Sequence, residues 1–137
     1  MLSERVEDCR IGSDPTAVRG MREVVRRMCR TADLPAETRD TAILLTSETL
    51  TNAIVHAGRP TRVVVHASPS GIRVEVTDDS VYSPVVAAAG NEATNGRGIR
   101  LIDSLATRWG VQHHRGGKTV WFEIAIEPVT GPGHPPA

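Results

Sequence analysis

The sequence has little cysteine, no net charge and no long hydrophobic run, and each absence excludes a class of protein. The two cysteines, Cys9 and Cys29, form no Cys-x-x-Cys pair, which argues against a disulfide scaffold and is typical of reduced thiols. Sixteen basic residues balance sixteen acidic ones, whereas a dedicated nucleic-acid binder carries a basic surplus. No stretch approaches the roughly 18 apolar residues of a membrane span, and no signal peptide is visible. We therefore expect a soluble, cytoplasmic protein.

Length and charge content favour one folded domain. The chain has 137 residues, and single domains commonly have about 100–150. Charged residues make up 23%, close to the ordinary globular value of about 25%, so wholesale disorder is not expected. We predict a single domain over residues 1–128 and a flexible tail over 129–137, which holds three prolines and two glycines.

Hydrophobic periodicity and turn residues predict eight elements in a strand, helix, helix, strand, strand, helix, strand, strand order. The predicted elements are an edge strand within 4–12, helices beginning near 15 and near 35 (the second running to about 57), strands over 61–67 and 71–78, a helix from 98 to about 108, and strands near 109–114 and 118–127. A long connection covers 81–96. Hairpin-type connections imply an α/β (α+β) two-layer sandwich, with a mixed, mostly antiparallel sheet and about three helices on one face.

The first predicted helix carries five arginines, at positions 19, 22, 26, 27 and 30. A solvated basic face is the simplest interpretation of this pattern. A docking surface for an acidic partner, or a DNA-binding surface, are the alternatives.

Three polar residues of the second predicted helix are spaced by four: Glu48, Asn52 and His56. At 100° per residue they lie within about 80° of one another, on a stripe separate from the apolar arc. An amide oxygen can ligate Mg²⁺ and a carboxylate can accept a proton, so the stripe suits cation-assisted chemistry. An ordinary polar helix face explains the same residues equally well.

Strand alternation places Asp78 on the same face as Ile72, Val74 and Val76. A carboxylate at the core-facing end of a strand is costly unless it has a donor partner, and a nucleobase amino group is one such donor. The alternative is an aspartate that turns to solvent or caps the following turn.

The segment Gly96-Arg97-Gly98 leads directly into the third predicted helix. Glycines let backbone N–H groups approach a phosphate, and a helix N-terminus favours an anion. A flexible entry to the helix is the more common reason for such a pair. The segment fits neither a P-loop nor a Rossmann site.

Taken together and in order, these segments resemble the motifs of the GHKL (Bergerat-fold) ATPases. The matching motifs are Glu48-x-x-x-Asn52-Ala53-x-x-His56, Asp78-x-Ser80, Gly96-Arg97-Gly98-Ile99-x-Leu101-Ile102 and Gly117-Lys118-Thr119-Val120-Trp121-Phe122. Within this family the sequence most resembles the small stand-alone bacterial anti-sigma factors with serine/threonine kinase activity, which are similar to histidine-kinase ATP-binding domains. The resemblance covers about residues 10–127.

The resemblance implies a Bergerat fold that binds ATP and Mg²⁺. Asn52 would coordinate the Mg²⁺ on the phosphates, Glu48 would act as general base, and Asp78 would accept a hydrogen bond from the adenine amino group. The other implied nucleotide-binding residues are His56, Ser80, Gly96, Arg97, Gly98, Ile99 and Thr119. Thr119 would support the adenine end, and residues 81–95 would form a lid. His56 would either contact phosphate or pack under the pocket.

The resemblance also implies a function and partners. The protein would sequester a sigma factor and phosphorylate a STAS-type anti-sigma factor antagonist, without direct contact with nucleic acid or membrane, and it would form a homodimer. The alternative is a non-catalytic, ATP-gated protein-binding module, which is favoured by a lid without Arg or Lys before Arg97.

Overall fold

The computed structural model describes residues 4–12, 14–56, 60–79 and 95–126, apart from the side chains of residues 56, 61 and 95–98. Its elements, in chain order, are β1 (Arg5–Arg10), α1 (Thr16–Thr31), α2 (Ala36–His56), β2 (Pro60–Ser68), β3 (Gly71–Asp78), α3 (Asn95–Leu105), β4 (Arg108–His114) and β5 (Gly117–Ala125). The predicted order of helices and strands is confirmed. Of the expected lid over 81–95, all but residue 95, which begins α3, lies outside the described residues, and so does the expected tail over 129–137.

The five strands form one sheet in the order β1-β2-β3-β5-β4, and the fold class expected from the sequence is confirmed. One detail differs from the expected mixed sheet. All four neighbouring strand pairs are antiparallel, and no parallel pair is found among the described strands. The connection from β3 through α3 makes β4 run in the same direction as β3. Because β5 turns back and inserts between them, these two strands are not neighbours.

Local sequence determines the limits of the first two helices. The Asp14 carboxylate accepts a hydrogen bond of 2.9 Å from the backbone N–H of Thr16 at the start of α1. After α1, Asp33 adopts a left-handed conformation with φ of 61°, and the N–H of Leu34 donates to the carbonyl of Cys29 at 2.9 Å. This turn allows α2 to begin immediately afterwards, at Ala36, and to pack against α1.

The core lies between the sheet and the helices. Alternate residues of β3 and β5 face it, and α1 contributes one stripe of its surface. The buried residues of these elements are Ile72, Val74, Val76, Val120, Phe122, Ile124, Met21, Val25 and Met28. Helix α2 packs against β2, β3 and β5, so that it covers the middle of the sheet. Within the described ranges, no helix has both the length and the apolarity that crossing a bilayer requires.

The third helix begins at Asn95 rather than at 98 and ends at Leu105 rather than near 108. A tertiary contact explains its earlier end. The N–H of Thr107 donates to the carbonyl of Glu123 at 2.7 Å, which places the chain beside β5 before β4 begins at Arg108.

Both cysteines are free. Burial raises the pKa of the Cys29 thiol to about 11 and also raises the pKa of the Cys9 thiol above its ordinary value. The two thiols are therefore protonated at neutral pH and are weak nucleophiles.

Candidate functional site

The elements that carry several of the candidate residues converge at the end of the sheet where β3 finishes. Asp78, the last residue of β3, lies opposite Pro60 of β2 on one side and opposite Lys118 of β5 on the other. Helix α2 ends at His56, four residues before Pro60, and a chain of that length spans at most about 14 Å. The last turns of α2, the end of β3 and the start of β5 therefore share one end of the molecule.

On α2, Glu48 and Asn52 lie at the margin of the buried face. Both are partly exposed, while Thr49, Leu50 and Ala53 between and beside them are buried. The Thr49 hydroxyl donates to the carbonyl of Leu45 at 2.7 Å, which satisfies it within the helix. The carboxylate and the amide are thus accessible but held beside the core. The side chain of His56 lies outside the described residues, so its role stays a prediction.

At the end of β3, Asp78 is paired with a lysine of the same chain. The Lys118 ammonium donates to both carboxylate oxygens, with Nζ–Oδ1 and Nζ–Oδ2 distances of 3.0 and 2.9 Å. The side chains of Asp78 and Lys118 are only 2% and 4% exposed. The predicted position of Asp78 on the buried face is therefore confirmed, and the alternative in which it turns to solvent is wrong. Its contact with adenine stays a prediction.

Gly117 allows this close approach of β5 to β3. A Cβ atom at position 117 would lie 2.1 Å from the backbone oxygen of Asp78, closer than any real contact. A side chain here would push the strands apart at the point where Lys118 meets Asp78. Position 117 therefore requires glycine for steric reasons.

Thr119 lies on the other face of the sheet. Its hydroxyl is 2.7 Å from the hydroxyl of Thr77 and 2.7 Å from Nε2 of His114. Successive side chains of a strand point to opposite faces, so Thr119 and Asp78 are not brought together. The structure gives no direct contact between Thr119 and the carboxylate that was expected to bind adenine.

The second glycine motif forms the first turn of α3. Gly96, Arg97 and Gly98 belong to this turn, whose side chains lie outside the described residues, and Ile99 is buried. The first four N–H groups of any helix lack partners within the helix, and they carry partial positive charge. The turn is therefore suited to an anion, and its contact with phosphate stays a prediction. Ser80 lies outside the described residues.

In the part of the chain that the structure describes, no group of three or more His, Cys, Asp or Glu residues could hold a metal ion. Among these described residues, the candidate site offers the amide of Asn52 as a metal ligand. It fits Mg²⁺ held by one amide oxygen, with water and substrate phosphates supplying the remaining ligands.

The opposite face of the sheet carries a network of ion pairs outside the candidate site. Arg73 contacts Glu75 at 2.7 Å and Glu123 at 2.6 Å, and its guanidinium lies 4.2 Å from the centroid of the Trp121 ring. Arg108 also donates to Glu123, at 2.5 Å. Partial burial acts to raise the pKa of the Glu123 carboxyl, but hydrogen bonds from Arg73 and Arg108 outweigh it and hold the pKa below its ordinary value of 4.5.

A comparison with known families identifies the chain. Residues 11–124 match the histidine kinase-like ATPase domain. The chain belongs to this family. The resemblance to the GHKL ATPases drawn from the motifs is thereby confirmed, and the nucleotide-binding theme of the candidate site agrees with it.

Two further comparisons add to this result. The chain is 39% identical over 87 residues to an uncharacterized protein of Streptomyces coelicolor, SCO4941, covering 60% of this chain and 83% of that one. The fold of the present chain is similar to that in a crystal structure of the RsbU and RsbW domains of Rv1364c from Mycobacterium tuberculosis, with a TM-score of 0.64 and 15% identity. That match covers 88% of this ATPase domain but 32% of the Mycobacterium chain, and it shows a shared fold.

Lys118 is the site residue that sequence reasoning missed. It lies inside the closing motif, but the motif by itself predicts no role for it. Two signals pointed to it: alternation with Val120, Phe122 and Ile124 places it on the buried face, and it is the only lysine of the chain.

Proposed function

We propose that this ATPase domain binds ATP and Mg²⁺ and acts as an anti-sigma regulatory serine/threonine kinase. The observation that carries the proposal is the packing of α2, which bears Glu48 and Asn52, against β3, which ends at the buried carboxylate of Asp78. Family membership and the fold shared with the RsbW domain support an anti-sigma-factor-like ATPase.

In this proposal the two ends of the nucleotide bind to different elements. The adenine lies at the end of β3, where Asp78 accepts a hydrogen bond from its amino group. The phosphates lie over the last turns of α2, where the Asn52 amide oxygen is a ligand of Mg²⁺, and the N–H groups of the first turn of α3 bind phosphate oxygens. This assignment agrees with the packing of α2 against both β3 and α3.

Glu48 is the proposed general base. It lies one helical turn from Asn52, so a hydroxyl placed beside the terminal phosphate would be within reach of its carboxylate. Its partial exposure allows a protein substrate to approach. By accepting the hydroxyl proton, Glu48 would favour attack on phosphorus, while Mg²⁺ would neutralise charge on the phosphates. The proposed acceptor is a serine or threonine of a STAS-type antagonist, and the proposed sequestered partner is a sigma factor in the cytoplasm.

Calorimetric titration with ATP, with and without Mg²⁺, tests the nucleotide site. We expect Asn52→Ala to weaken ATP binding in Mg²⁺ by about tenfold or more and to remove the dependence on Mg²⁺. Thr51→Ala is the matched control, because Thr51 is the exposed neighbour on the same helix. Absence of ATP binding by the wild-type protein would contradict the proposal.

Phosphoryl transfer is tested with labelled ATP, Mg²⁺ and a purified STAS-type antagonist domain. The wild-type protein should label a serine or threonine, and Glu48→Gln should abolish labelling while ATP still binds. Glu37→Gln, on the exposed first turn of α2, is the matched control and should retain activity.

A second function has one specific observation in its favour. Residues 81–96 contain no Arg or Lys, so no cation of this segment would assist transfer of the terminal phosphate. The alternative is an ATP-gated binding module, in which the nucleotide changes partner affinity without turnover. Intact ATP in the complex, together with partner affinity that depends on ATP, would favour this alternative over the kinase.

A further inference from the structure

The buried ammonium of Lys118 is not fully used by its partner. A lysine ammonium has three N–H donors, and the two contacts from Lys118 to the carboxylate oxygens of Asp78 use two of them. Among the described residues, the Lys118 ammonium has no other hydrogen-bond acceptor. With the side chain 4% exposed, water has little access to the remaining donor. A buried donor without a partner is costly, so an acceptor is expected at this position.

The ion pair determines how a base can bind to Asp78. Displacing Lys118 would leave a buried charge without its partner, which is strongly unfavourable. A carboxylate accepts up to about four hydrogen bonds, so the two from Lys118 do not by themselves saturate it. A base is therefore expected to join the pair of Asp78 and Lys118 and to leave it intact.

Adenine carries a donor and an acceptor side by side on one edge, namely its exocyclic amino group and the ring nitrogen N1. The pair of Asp78 and Lys118 offers the complementary acceptor and donor, held together by contacts of 2.9 and 3.0 Å. We infer that Lys118 is a base-recognition residue, whose ammonium donates to N1 while Asp78 accepts from the amino group. This inference rests on the proposed binding of ATP and adds a second contact to the base.

The test compares ATP with 1-deaza-ATP, in which N1 is replaced by C–H, by calorimetric titration in Mg²⁺. Wild-type protein should bind 1-deaza-ATP about ten- to a hundredfold more weakly, the range expected for a hydrogen bond with a charged donor. In Lys118→Met the ratio of the two affinities should fall to about one. Because loss of a positive charge weakens all nucleotides alike, this ratio reports the contact with N1 and not the charge.

Two controls separate this contact from other effects. Arg115→Met removes a positive charge from the exposed turn between β4 and β5 and should keep the wild-type ratio. Purine riboside triphosphate, which lacks the amino group, should still bind more weakly than ATP to Lys118→Met, because that contact belongs to Asp78.

Each outcome decides between the claims. Absence of ATP binding by wild-type protein would overturn both the proposed function and the inference. Tight ATP binding with equal affinity for 1-deaza-ATP would overturn only the role of Lys118, and so would a wild-type ratio that persists in Lys118→Met. If Lys118→Met does not fold, Lys118→Leu, which also lacks a donor, replaces it; if neither folds, the wild-type ratio decides.

Discussion

Removing one partner of the buried pair should destabilise the protein strongly. Lys118→Met keeps an unbranched side chain of similar length but leaves the Asp78 carboxylate in a site where it is 2% exposed. Breaking a buried ion pair in this way costs about 3–5 kcal/mol, because the remaining charge has lost both its counter-charge and its donors. The expected result is a large loss of stability with the fold retained.

The size of the chain converts this loss into a change in melting temperature. A protein of 137 residues has a free energy of unfolding of about 7–20 kcal/mol, so most of the stability should survive. An unfolding entropy of about 2.1 cal/mol/K per residue gives about 0.29 kcal/mol/K for the chain. The melting temperature of Lys118→Met should therefore fall by about 10–17 °C, measured by circular dichroism without nucleotide.

An exposed ion pair provides the matched control. Arg62 and Asp8 also form a close, two-point contact, but their side chains are 51% and 49% exposed. Solvent screens such a pair, so Arg62→Met should leave the melting temperature almost unchanged. The comparison isolates burial, because the same kind of contact is removed in both variants.

The double variant Asp78→Leu with Lys118→Met tests the reason for the loss. Replacing a buried pair by apolar residues is often neutral, so the double variant should be more stable than Lys118→Met alone. If Lys118→Met melts within a degree or two of wild type, breaking the buried pair does not cost about 3–5 kcal/mol. Strictly additive losses in the double variant would lead to the same conclusion.

Three further changes probe other parts of the fold. In the part of the chain that the structure describes, the fully buried Thr46 hydroxyl has no hydrogen-bond partner. Thr46→Val should therefore raise the free energy of unfolding by about 1–3 kcal/mol, measured by urea titration, and a decrease would contradict this. Gly20 lies inside α1, and an added Cβ would meet no atom within 4 Å. Gly20→Ala should therefore stabilise the protein by about 0.5–1 kcal/mol, and a lower midpoint of urea unfolding would show that the added methyl group is not accommodated. The pKa of Glu123 in the folded protein lies below 4.5, so its stabilising contribution is present above pH 4.5 and is lost as the pH falls through the folded pKa. The melting temperature of Glu123→Gln should therefore depend less on pH between 6 and 3 than that of the wild-type protein, and an identical pH profile would rule this out.

Much of the fold could be predicted because its signals are local. The alternation of Ile72, Val74 and Val76 fixes which face of β3 is buried, and the same parity places Asp78 correctly. The limits of α3 were missed for two different reasons. Asn95 to Gly98 is typical of a loop, and the end of the helix depends on a contact with Glu123, which no local pattern contains.

In the candidate site, too, some features follow from local sequence and others depend on tertiary contacts. The spacing of Glu48 and Asn52 on one stripe follows from the helical repeat, so sequence alone predicts it. The pairing of Asp78 with Lys118 depends on β5 lying beside β3 and on the register between them, across 40 residues of chain. Thr119 illustrates the limit of motif matching, since the motif names the residue but the strand parity turns it to the other face.

The presence of Lys118 changes what the burial of Asp78 means. From the sequence, a buried carboxylate required a donor, and a nucleobase was one candidate. The chain supplies that donor itself, at 2.9 Å, so burial of Asp78 no longer demands a ligand. The demand passes to the ammonium of Lys118, which has one N–H more than the two contacts to Asp78 use. A base that offers an acceptor to Lys118 as well as a donor to Asp78 would satisfy both groups, whereas a ligand that offers only a donor would leave the third N–H of Lys118 without a partner.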